Sequence, residues 1–180
     1  MHQKYFIAII PPQVVSSEIY DIKMSISEIY HTKGSLRSPA HITLHMPFSW
    51  DDAKEEKLIS SLMEFQFTKE INIELTDFNC FEPRVVFVSV AENVELNQLQ
   101  KNLVQHCKKQ LQLFNQAEDM RGFHPHITVA FRDLKKPQFY KVWEEYKSKN
   151  YTAKFLCNTI CLLKHVNDKW VVHKEFKFIE

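Results

Sequence analysis

The sequence predicts an α+β domain, a mixed and largely antiparallel sheet with helices on the outside. Three observations lead there. Helix-spaced segments alternate with strand-like runs, two pairs of strands are joined through turn residues, and one short strand motif is written twice. No linker, low-complexity tract or charge block divides the chain, so residues 1–180 are expected to form a single domain.

Lys4 to Ile10 is a continuous apolar run stopped by Pro11-Pro12, the pattern of a strand buried on both faces. Val15, Ile19, Ile22, Ile26 and Ile29 then step by four and three, marking a helix with one apolar stripe, and Gly34 lies where its C-terminal stop is expected. A strand follows over Ser38 to Met46, with Pro47 limiting its onward pairing. Asp51 and Asp52 open the second helix, Asp52 and Glu55 stand at capping-box spacing, and Leu58, Ile59, Leu62 and Met63 give the apolar face. Ile71, Ile73 and Leu75 alternate, and Arg84 to Val90 runs apolar after the Asn79 to Pro83 connection, an antiparallel hairpin. Leu96, Leu99, Leu103, Cys107, Leu111 and Phe114 mark the third helix. Beyond a polar stretch, Gly122 permits a turn into another strand. Pro137 fits the first turn of a fourth helix facing inward with Tyr140, Trp143 and Tyr146. Two final strands, Thr152 to Leu163 and Trp170 to Phe178, flank an Asn167-Asp168 turn, and the order is βαβαββαβαββ.

Composition removes several function classes. The net charge is +1, so any site for RNA or a nucleotide must be local rather than a whole-molecule field. With two glycines in the chain, no Gly-rich phosphate loop can be assembled, which excludes P-loop and dinucleotide-binding readings. Cys80, Cys107, Cys157 and Cys161 lack metal or disulfide-framework spacing and read as small buried hydrophobes in a reducing compartment. The N-terminus has no signal-peptide layout and no apolar run approaches transmembrane length, so a cytoplasmic monomer without membrane association is expected.

Chemistry is carried by the repeat. His41-Ile42-Thr43-Leu44 returns as His126-Ile127-Thr128-Val129. In a strand, residues two apart share a face, so His41 stands with Thr43 and His126 with Thr128, while Ile42, Leu44, Ile127 and Val129 point into apolar packing. Two such strands facing one another would surround a small anion with two imidazoles and two hydroxyls.

Paired His-x-Thr strands in a chain of this size resemble the two-histidine (2H) phosphoesterase superfamily, which includes the 2′-5′ RNA ligase-like proteins and cyclic phosphodiesterases. The likeness covers most of the chain through the order of its elements, and its specific part is the two tetrapeptides. Phe131 after the second motif and the Arg121-Gly122-Phe123 lead-in are also similar to members of that group. The resemblance implies two pseudo-symmetric lobes with outer helices and a central cleft lined by the two His-x-Thr strands. It also implies catalytic roles for His41, Thr43, His126 and Thr128 on cyclic phosphates or 2′-5′ linkages in RNA or nucleotides.

The residue chemistry agrees. Histidine titrates near neutrality, so one imidazole can act as base while a protonated partner acts as acid, and the threonines can donate to the non-bridging phosphate oxygens. No metal or other cofactor is needed, and either histidine can be the base. Arg121 and Arg132 flank the second motif with guanidinium forks suited to phosphate, and Arg84 opens a strand after Pro83 from which it is a candidate to reach the cleft. His45 and His124 are expected on the motif faces as substrate contacts, and Phe48, Trp50, Phe123 and Phe131 are candidates for stacking a base, although alternation turns Phe131 away from the His126 face.

Two other readings use the same residues. His41, His45, His124 and His126 together form a candidate metal-ligand set for a metallohydrolase. A cleft that binds a nucleotide or RNA without turnover would use Arg121, Arg132, Lys135 and Lys136 as its footprint.

Overall fold

Two four-stranded antiparallel sheets form the two lobes in a computed structural model that describes residues 1–115 and 122–178. The first sheet has the order β2-β1-β7-β8, from β1 (His2–Ile9), β2 (Ile42–Asp51), β7 (Thr159–Val166) and β8 (Lys169–Lys177). The second has the order β5-β4-β3-β6, from β3 (Ile71–Phe81), β4 (Val85–Val90), β5 (His126–Ala130) and β6 (Thr152–Cys157). Helices α1 (Gln13–Tyr30), α2 (Glu55–Glu64), α3 (Val94–Leu111) and α4 (Lys136–Tyr146) cover them.

A two-fold logic runs through the connections. β1 leads through α1 to β2, and β4 leads through α3 to β5; in each case the second strand pairs antiparallel with the first and takes the sheet edge. The helices are exchanged between the lobes, since α1 packs against β5 and α3 against β2. Ile19 and Ile26 from α1 and Leu96, Leu99, Leu103 and Cys107 from α3 are fully buried in one continuous core with Ile42, Leu44, Ile127 and Val129. Each such aliphatic contributes roughly 1.5–3 kcal/mol of transfer free energy, so both motif strands are anchored through their inward residues.

Several expectations are corrected. The strand expected over Thr152 to Leu163 is two strands, because at Asn158 the chain leaves the sheet of β3 and enters that of β1. One residue between two β-rich runs leaves no mark on the pattern. β2 continues through Pro47 to Asp51 since it is an edge strand, where a missing N–H costs nothing on its open side. α4 buries Phe139, Val142 and Tyr146 while Tyr140 is exposed, a rotation of one residue about the helix axis. Ile29, Met63 and Phe114 are exposed, and His31, at φ 55°, closes α1 in the left-handed conformation expected of Gly34.

Gly34 has another reason. It belongs to a 3-10 turn, η1 (Gly34–Arg37), whose start is clasped by Asp133: the Lys33 and Gly34 N–H groups donate to its carboxylate at 2.7 and 3.0 Å. A Cβ at residue 34 would lie 2.5 Å from the Phe131 carbonyl oxygen. η1 is thereby pressed against the segment leaving β5. No helix among the described residues is long and apolar enough to cross a membrane, and all four cysteines are free.

Candidate active site

The two edge strands β2 and β5 approach one another, and between the lobes lies a cleft of about 230 Å³. His41, Thr43, His126 and Thr128 all line it. The motif alternation has the expected outcome: Ile42, Leu44, Ile127 and Val129 are buried while the histidines and threonines keep partial exposure on the cleft side.

The two histidines are held in matching ways. His41 donates its Nδ1–H to the carbonyl of Pro39 at 2.8 Å, and His126 donates its Nδ1–H to the carbonyl of His124 at 2.6 Å. A carbonyl only accepts, so each bond assigns the proton to Nδ1 and leaves Nε2 with the lone pair. Each ring also leans on a phenylalanine from the neighbouring strand, His41 on Phe6 of β1 (centroids 4.9 Å) and His126 on Phe87 of β4 (4.7 Å). Burial pushes both pKa values down. His41 falls to about 4, through desolvation first and then the positive charges of Lys23 and His126, against the opposing bond to Pro39. His126 is lowered by desolvation and by His124.

Lys23 is the residue that the sequence pattern concealed. It replaces an aliphatic on the inward stripe of α1, is 2% exposed, and donates from Nζ to the carbonyls of Ser38 (3.1 Å) and Pro39 (3.3 Å). The Pro39 oxygen thus serves both the ammonium and the His41 Nδ1–H. Burial lowers Lys23 to about 8. Replacing Lys23 with Met, which keeps the length and removes the charge, is expected to raise the His41 pKa; an imidazole NMR titration reads it, and an unmoved value would reduce the amine to a purely structural contact.

The other expected site residues divide. Arg132 lines the cleft. Arg84 lies outside it, on an adjoining groove that also includes Phe131, Arg132 and Lys136. Arg121 lies outside the described residues. His45 is corrected: β2 slips register against β1 between Ile7 and Ala8, so Thr43 pairs with Ala8 but His45 with Ile7. This bulge turns His45 into the core, 1% exposed, with Nδ1–H donating to the Met46 carbonyl and Nε2 without a partner, and brings Met46 to the cleft instead. The exposed His124 contributes its carbonyl to His126, and its ring is not on the cleft lining. The four histidines of the metal reading are therefore not gathered at one point, and among the described residues no group of three or more His, Cys, Asp or Glu is placed to hold a metal.

Of the aromatic candidates, Phe131 does reach the cleft, contrary to simple alternation, because β5 ends at Ala130 and Arg132 adopts φ 68°. Phe48 stacks on Tyr5, Trp50 donates to the Lys54 carbonyl, and Phe123 packs on the core. Ser35 and Arg37 of η1 and His165, Asp168 and Trp170 of the β7–β8 hairpin complete the wall. The Ser35 hydroxyl is buried without a partner, and no local sequence signal points to it.

Comparison with known proteins follows this geometry. A family model described as the 2′-5′ RNA ligase superfamily matches residues 11–169. A Geobacillus sp. (strain WCH70) protein named "Putative phosphoesterase" is 29% identical over 177 residues, covering 96% of this chain and 95% of its own. Among solved structures, E. coli LigT complexed with 3′-AMP has a TM-score of 0.67 at 17% identity, with 100% of both chains covered. E. coli LigT complexed with phosphate has a TM-score of 0.60 at 17% identity, with 99% of each covered.

Proposed function

Because the chain belongs to the 2′-5′ RNA ligase superfamily of two-histidine phosphoesterases, we propose that it hydrolyses a cyclic phosphate or 2′-5′ phosphodiester in RNA or a small nucleotide without a metal. The observation that carries this reading is the pairing of two cleft-lining imidazoles, each with Nδ1 engaged and Nε2 available. LigT with 3′-AMP and with phosphate in related folds is consistent with it.

In the proposed reaction a phosphate anion lies between β2 and β5. His41 Nε2 takes a proton from water as its oxygen attacks phosphorus, and a protonated His126 gives its proton to the departing ribose oxygen. His41 suits the base role because its buried ring, with Lys23 behind it, stays neutral most strongly. A charge on His126 reinforces that neutrality, so the two protonation states support each other. Thr43 and Thr128 donate to the non-bridging oxygens, where stiff β-branched side chains hold the hydroxyls ready.

The test is a panel of 2′,3′-cyclic nucleotides and 2′-5′-linked oligonucleotides in EDTA, with kcat/KM followed against pH. Turnover of at least one substrate is expected. The rate should rise as pH climbs through the His41 value near 4 and fall as pH climbs past that of His126, which burial holds below the ordinary histidine range. The optimum of kcat/KM then falls on the acid side of neutrality. Complete loss of activity in EDTA, restored by a divalent metal, would overturn the mechanism.

A further inference from the structure

One face of the first sheet carries apolar side chains that the main core does not use. Tyr5, Ile7 and Ile9 of β1 face that core, whereas Phe6 and Ala8, on the opposite face by strand alternation, pack with Cys161 and Leu163 of β7. Ile10 and Trp170 border this small cluster, and among the described residues no helix contributes to it. Phe6 and Trp170 line the cleft, so this second apolar layer is part of its wall. The rings form a short row leading away from the proposed general base. His41 lies on Phe6 at 4.9 Å between centroids, Phe6 on Trp170 at 4.7 Å, and Trp170 on His165 at 4.9 Å. Trp170 is only partly buried, an indole on the open wall one phenyl ring away from His41.

Beside that row stands a charge of the wrong sign for phosphate. Asp168 is the one carboxylate among the described residues that line the cleft, whose other charged and titratable groups are arginines and imidazoles. Among the described residues it forms no ion pair. With Asn167 it makes the two-residue turn between β7 and β8, at φ 47° for Asn167 and 61° for Asp168, the pattern of a type I′ hairpin. The carboxylate is thus carried on a short, tight connection. It repels an anion and accepts hydrogen bonds without donating any, so the part of a ligand that faces it must present N–H groups. The indole two residues further on offers that same part a surface for stacking.

We infer that the wall made by the β7–β8 hairpin selects guanine as the base of the reacting nucleotide, with Trp170 as the stacking surface and Asp168 as the specificity-determining residue. Guanine sets its N1–H and N2–H side by side and engages both carboxylate oxygens. Adenine and cytosine place a ring-nitrogen lone pair beside their amino group, and uracil flanks its N3–H with carbonyl oxygens. Each of these turns a repelling atom towards Asp168. The inference deepens the phosphoesterase reading: it rests on that reading for the phosphate end and on the hairpin alone for the base.

The test measures binding and turnover separately. The 3′-monophosphates of guanosine, adenosine, cytidine and uridine are titrated into the protein by calorimetry, and kcat/KM is measured for the four 2′,3′-cyclic nucleotides. Guanine is expected to lead by about tenfold or more in both, the scale on which a bidentate pair discriminates. In an Asp168→Asn variant that lead should shrink to within about threefold, because an amide donor replaces one accepting oxygen. Xanthosine 3′-monophosphate, with a carbonyl oxygen where guanine has its amino group, should bind the variant more tightly than the wild type. A role confined to the turn would weaken every ligand alike and strengthen none. Asn adopts positive φ as readily as Asp, the side chain is exposed, and circular dichroism checks the fold. Equal affinity for all four bases in the wild type, or a guanine lead that survives Asp168→Asn, would each overturn the proposal. If guanosine 3′-monophosphate is preferred through Asp168 but no cyclic nucleotide is turned over, the esterase reading falls and the base reading stands. Turnover of all four cyclic nucleotides at like rates, with like affinities, gives the reverse.

Discussion

Replacing either His41 or His126 with Ala is expected to lower kcat by roughly a hundredfold or more, the scale of a general acid or base. Each imidazole lines the same cleft with Nδ1 committed to a backbone carbonyl, which leaves Nε2 for the reaction. The double variant should be little worse than the worse single one, because an acid and a base serving one displacement act as a unit. Affinity for a product such as a 3′-mononucleotide should change far less than kcat. That pattern separates catalysis from mere binding: a protein that held nucleotides without turning them over would lose affinity and have no rate to lose. Activity within a few-fold of wild type in either variant would remove that histidine from the mechanism.

Gly34→Ala is expected to destabilise the protein by about 1–3 kcal/mol, the usual range for overpacking a closed contact. The added methyl would sit 2.5 Å from the Phe131 carbonyl oxygen, 2.8 Å from the Asp133 carboxylate and 3.1 Å from the Arg132 Cβ. The first of these is backbone and cannot swing aside as a side-chain tip can. Relief requires η1 to move from the exit of β5, which also breaks the Asp133 clasp. For a chain of this length the loss corresponds to a fall in Tm of about 2–4 °C per kcal/mol. Because η1 carries Ser35 and Arg37 into the cleft wall, kcat/KM should fall as well, at temperatures well below the new Tm. An unchanged melting curve would show that the seam can open at no cost.

The fold was readable where side-chain spacing reports burial directly. The stripes of α1 and α3 and the alternation in β3 carry a pattern that only one local conformation can bury, and all three elements form where expected. Reading failed where the deciding partner was distant in sequence. Asn158 looks like one more residue in a β-rich run, and its role as the crossing point between sheets depends on β1 and β3 lying on either side. His45 has the right spacing from His41, but a register slip against β1 reverses its direction. Lys23 reads as an interruption in an apolar stripe; its value comes from the carbonyls of Ser38 and Pro39, which α1 meets only in the folded chain.

The amino-acid sequence alone determined the reactive groups: two His-x-Thr pairs, each made to share a face by the two-residue period of a strand and anchored by the aliphatics between and beside them. Only the tertiary structure decided that these pairs meet. The exchange of α1 and α3 between lobes brings the two edge strands together, and the carbonyls of Pro39 and His124 select the tautomers. The physical reason is range: strand periodicity is a property of neighbouring residues, whereas a shared cleft and its electrostatics are made by segments eighty-five positions apart that touch only after folding.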